Sequence, residues 1–72
     1  MTLTPGEQEI VARGLASLGV LHDRDDRRAI VYAAVLVLEG RPTKQGLVPL
    51  DDGDKAFMLD AIRRRTPKPT TV

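Results

Sequence analysis

The sequence predicts an all-α domain: a small bundle of three main helices with the second at its centre. Three observations carry this. Residues 29–38, Ala-Ile-Val-Tyr-Ala-Ala-Val-Leu-Val-Leu, form a run without charge whose one polar side-chain group is the Tyr32 hydroxyl. A helix that is apolar all round must be surrounded by other structure. Helix-start signals stand ahead of three segments: Thr4-Pro5 with Glu7, Asp23 with Asp26, and Asp51 with Asp52 and Asp54. Strand candidates are few, and a two-stranded ribbon alone is marginal in water.

The first helix opens at Thr4, with Pro5 at the first helical position and Glu7 completing a capping box. Ile10, Val11, Leu15 and Leu18 recur at helical spacing and form its apolar stripe. Glu9 and Arg13 make a favourable i,i+4 pair on the wet side. Gly14 costs about 1 kcal/mol against alanine inside a helix, so it is expected to mark the close approach of another helix. Gly19 ends the segment, and Val20 and Leu21 fold back onto it.

The second helix covers about residues 23–39. Helical spacing puts Ile30, Ala33, Ala34, Val37 and Leu38 on one side, with Val31 and Val35 beside them and Tyr32 and Leu36 pointing away. The β-branched Ile30, Val31, Val35 and Val37 lower its helix propensity slightly. The competing reading makes the run a strand paired with residues 46–50. Acids at the start and Gly40 after the end favour the helix. Residues 41–46 read as a polar turn region. Leu47-Val48-Pro49-Leu50 returns the chain to the apolar body as an extended segment, since Pro49 has no N–H to donate.

The third helix starts near Asp51 with Leu50 as a hydrophobic staple. Phe57, Met58, Ala61 and Ile62 form its expected stripe, with Leu59 off it, and Arg63, Arg64 and Arg65 occupy the last turn. Residues 1–65 are therefore expected to form one domain. Residues 66–72, with two prolines and no core-forming segment, are expected to be a disordered Thr/Pro tail or the start of a linker.

Composition narrows the function classes. A chain of 72 residues makes one small domain. It has no cysteine, hence no disulfide and no thiolate metal site, which fits a reducing compartment and a cytoplasmic expectation. The amino terminus has neither the basic start nor the apolar core of a secretory signal, and ten apolar residues are about half a membrane span. Arginine outnumbers lysine eight to three, a bias associated with GC-rich bacterial or phage genomes rather than a physical argument. The single histidine, His22, stands before acids that cap a helix, without three or four convergent ligands. Asp51-Asp52-Gly53-Asp54 fails as a calcium loop, because Val48 and Leu50 occupy two of its ligand positions. With no Gly-rich phosphate loop and no nucleophile–base motif, neither enzyme activity nor a small-molecule substrate nor a cofactor is expected.

Net charge is +1, so no global field draws nucleic acid. A helix-turn-helix reading would aim Asp23, Asp25 and Asp26 at the duplex, where carboxylates meet phosphates. The stripes of the first and third helices are too narrow to wrap the second, and exposed apolar surface of that kind marks an interface. The expected function is therefore a protein–protein interaction module, a regulator or adaptor, binding another protein or its own copy. Tyr32, Val35 and Leu36 are the expected anchors, and Arg24, Arg27, Arg28, Glu39 and Arg41 the charged rim. The alternative is a nucleic-acid-binding regulator that uses Arg63, Arg64, Arg65 and Lys68.

Overall fold

The computed structural model describes residues 3–67. Helix α1 spans Pro5–Ala16 and runs into a 3₁₀ turn at Ser17–Gly19. Helix α2 spans Arg24–Glu39, strands β1 and β2 span Arg41–Thr43 and Gly46–Val48, and helix α3 spans Asp52–Arg65. The fold is mostly α, with a short antiparallel hairpin that the all-α expectation missed.

The expected caps form. Thr4 Oγ1 accepts from Glu7 N–H at 3.2 Å while Glu7 Oε1 accepts from Thr4 N–H at 2.9 Å, the reciprocal capping box. Asp23 Oδ1 accepts from the N–H groups of Asp25 and Asp26, and Asp51 Oδ1 from that of Asp54. Of the acids before Gly53, Asp51 is thus the helix cap and Asp52 the first residue of α3.

The hairpin pairs Arg41 with Val48, Pro42 with Leu47 and Thr43 with Gly46. Lys44 and Gln45 form its loop without positive φ, and Gly46 takes φ +110° instead. Thr43 Oγ1 holds the turn, donating to Gly46 O at 2.7 Å and accepting from Gln45 N–H at 3.1 Å. Gly40, at φ +102°, lets the chain leave α2 and fold back so closely that a Cβ there would sit 2.6 Å from Val48 O. Both strands are exposed, and the chain after β2 passes close to Gly40 at the carboxyl end of α2. Leu36, one turn before Gly40, and Leu50, just past the hairpin, are buried there outside the main core.

The core consists of Val11, Ile30, Ala33, Ala34, Leu59 and Ile62, with Ile10, Leu18, Leu21, Val37 and Met58 packed against it. Helix α3, rather than α2, occupies the middle: it packs extensively on both other helices, while α1 and α2 meet less. Gly14 is the reason α3 can approach α1. A Cβ on Gly14 would overlap Ile62 Cγ2 and reach Ile30 Cγ2 at 3.3 Å, as the expectation of a close helix approach required. Ser17 is buried nearby with its hydroxyl donating to Gly14 O at 2.7 Å, so no buried polar group there is left unpaired.

The stripe of α3 is rotated from the expected one. Counting back from the fully buried Ile62, the helical repeat reaches Leu59, Met58 and Lys55. Phe57 lies five residues back, roughly 140° around the helix, and is 64% exposed. Thr66 closes α3 instead of starting a tail: its N–H and hydroxyl both donate to Ile62 O, and it is half-buried. The remainder of the expected tail, residues 68–72, lies outside the described residues.

Candidate functional site

Because α3 holds the middle, α2 is covered on one side only. Ile30, Ala33 and Ala34 face inward, whereas Val31, Tyr32, Val35 and Leu38 are 43%, 65%, 46% and 57% exposed. At 100° per residue, Arg24, Arg28, Val31, Tyr32, Val35, Leu38 and Glu39 share one face, opposite Ala33 and Val37. An open groove of about 550 Å³ runs along the amino-terminal half of this face. Leu18, from the 3₁₀ turn, forms one wall, and Arg27, Arg28, Val31, Tyr32 and Val35 form the rest.

Four of the sequence-predicted partner-binding residues therefore come together: Tyr32, Val35, Arg27 and Arg28. Arg24 and Glu39 are exposed on the same face beyond the groove's ends. Arg41 stands on the hairpin, 4.0 Å from Asp54 at the start of α3, and Leu36 does not belong to the face at all. At 5% exposure it is buried at the hairpin end of α2 and cannot anchor a docked partner. The sequence reasoning missed Leu18 and Val31 and placed Leu38 inside. The signal that finds Val31 and Leu38 is the spacing 28, 31, 35, 38, an i+3, i+4, i+3 progression along one face.

Among the described residues, Arg24, Arg27, Arg28 and Glu39 make no ion pair within 4.0 Å. The arginine cluster on α3 differs. Arg63 Nη2 lies 2.8 Å from Asp60 Oδ1, and Arg64 Nε 3.0 Å from Asp60 Oδ2. The Arg63 hydrogen bond, followed by the Arg64 and Arg63 charges, lowers the Asp60 pKa below its ordinary value. Arg65 donates to Ala61 O at 3.1 Å and reaches Asp26 on α2 at 3.7 Å. All three guanidinium groups thus have acidic neighbours, which weakens the field they can present to phosphates. Lys68, the fourth member of that candidate set, lies outside the described residues.

Among the described residues, no group of three or more His, Asp or Glu side chains is arranged to hold a metal ion. No described helix is long and apolar enough to cross a membrane. No protein-family model, no curated protein and no solved structure matches this chain.

Proposed function

We propose that the chain is a small protein–protein interaction module, a regulator or adaptor, that docks protein on the outer face of α2. The observation that carries this reading is the apolar groove between Leu18 and the Val31–Tyr32–Val35 ridge, flanked by arginines that make no ion pair among the described residues. A contiguous apolar patch with a polar rim is the usual anatomy of a protein interface. Tyrosine suits the anchor role, since it offers a large apolar area at low entropy cost with a polar tip.

Nucleic-acid binding through Arg63, Arg64 and Arg65 has less support, because Asp60 and Asp26 offset part of that positive charge. The docking reading is tested by placing a benzophenone photocrosslinker at position 32, with position 13 on the exposed side of α1 as control, and irradiating cells of the native host. Protein adducts specific to position 32, whether to another chain or to a second copy, are the expected outcome. Equal adducts from both positions, or none from position 32, would sink it.

A further inference from the structure

Resting on that reading, we propose that the occupant of the α2 face is a second copy of this chain, laid antiparallel so that Arg28 of each copy meets Glu39 of the other. The register follows from the sequence of the face. Arg28 and Glu39 are eleven residues apart, about three helical turns, and lie within about 20° of each other around α2. A two-fold axis passing between Ala33 and Ala34 exchanges their positions. The same axis lays Tyr32 of one copy on Val35 of the other. It also brings the second copy's Leu38 between Arg27 and Val31, over the groove that Leu18 walls. The exposed leucine and the open groove are thus complementary halves of one contact, made twice in a two-fold pair.

The charges support the same arrangement. Neither Arg28 nor Glu39 has an ion-pair partner among the described residues. Glu39 is the last residue of α2, where the helix dipole favours a cation, and α2 has no basic residue in its last turn. Its carboxylate is misplaced for its own helix. In the antiparallel pair it faces the amino-terminal half of the other α2, and Arg28 faces the other's carboxyl end, so each charge meets a favourable field. A helix of 16 residues is about 24 Å long, so one helix pair with Leu18 at its edges gives an interface at the small end of the range. The expected dimer exchanges with monomer at micromolar concentration.

Sedimentation equilibrium from low to high micromolar tests this with R28E, E39R, the R28E/E39R double variant and an equimolar mixture of the two single variants. Wild type is expected to dimerise. Each single reversal creates two like-charge contacts per dimer and is expected to weaken self-association roughly tenfold or more. The double variant and the mixture restore opposite charges at both contacts and are expected to recover it. Both positions are exposed, and unchanged far-UV circular dichroism checks the fold of each variant. A wild type that stays monomeric at high micromolar concentration overturns the proposal, as do reversals without effect and a mixture that fails to recover. If wild type is monomeric while position 32 still crosslinks a different protein, the dimer fails and the docking function stands. If position 32 also gives no specific adduct, both fail.

Discussion

Ile30 and Val31 are adjacent β-branched aliphatics on one helix, yet Ile30 is fully buried and Val31 nearly half exposed. The contrast extends along α2. Ile30, Ala33, Ala34 and Val37 join the core shared with α1 and α3, while Val31, Tyr32, Val35 and Leu38 face outward. The inner face carries two alanines, and small side chains let α3 come close. The outer face carries the larger side chains and the one aromatic of the helix, with charges at both ends that make no ion pair among the described residues. Both faces carry aliphatic side chains; side-chain size and the placing of charge differ. The inner face is built for a fixed neighbour, and the outer face has the composition of a surface that takes one up.

The largest test of that contrast is a pair of truncations measured by denaturant unfolding at a concentration too low for self-association. Ile30→Ala opens a cavity at the junction of all three helices and is expected to cost about 2–5 kcal/mol. Val35→Ala removes outward-facing atoms and is expected to stay within about 0.5 kcal/mol of wild type. Comparable losses at both positions would mean that the outer face is part of the monomer's core.

Gly14→Ala sharpens the contrast from the inner side. By helix propensity alone the change stabilises α1 by about 1 kcal/mol. The new methyl meets Ile62 Cγ2 and Ile30 Cγ2, and both side chains are fully buried. Overpacking of this kind costs about 1–3 kcal/mol. The expected net result is a loss of about 1 kcal/mol, read as a lower unfolding midpoint at constant denaturant slope. A gain would show that α3 can back away from α1, and that the inner face is less tightly held than its burial indicates.

How far these faces were legible in the sequence depends on the signal available. Caps are local, and all three helix starts were readable from Thr4, Asp23 and Asp51. Gly14 was readable because an unfavourable residue in mid-helix needs a reason. The inner residues Ile30, Ala33 and Ala34 followed from helical spacing. The outer face was harder, because an all-apolar run carries no contrast from which to read its orientation. Leu36 reads as outward from helical spacing alone, and its burial is a tertiary effect that spacing does not carry. The hairpin was signalled by Thr43-Lys44-Gln45-Gly46 between two short segments, but its strands are three residues each and lack a buried face, so no alternation marks them. Phe57 drew the α3 stripe towards itself by size; Lys55, whose stem is sheltered, and Leu59 mark the true one.

The smallest effect concerns the ion pair that fastens the inner wall. Lys55 Nζ on α3 lies 3.3 Å from Glu7 Oε2 on α1, with both side chains largely sheltered. The Thr4 N–H above all, and then Lys55, hold the Glu7 carboxyl below its ordinary pKa against the opposing effect of burial. A carboxylate whose pKa is lower folded than unfolded binds fewer protons in the native state. Its contribution is therefore complete above the unfolded value of about 4.3 and is lost as pH falls through the folded value. Glu7→Gln keeps an acceptor for the Thr4 N–H but has no charge for Lys55. The stability difference between wild type and Glu7→Gln is expected to be largest near neutral pH and to shrink steadily through the acid range. Asp60 titrates in both proteins and cancels from the difference. Val35→Ala, on the outer face, should parallel wild type throughout, since it touches neither Glu7 nor Lys55. If the Glu7→Gln difference instead stays constant with pH, the Glu7–Lys55 contact contributes no charge-dependent stability, and the inner wall is held by packing alone.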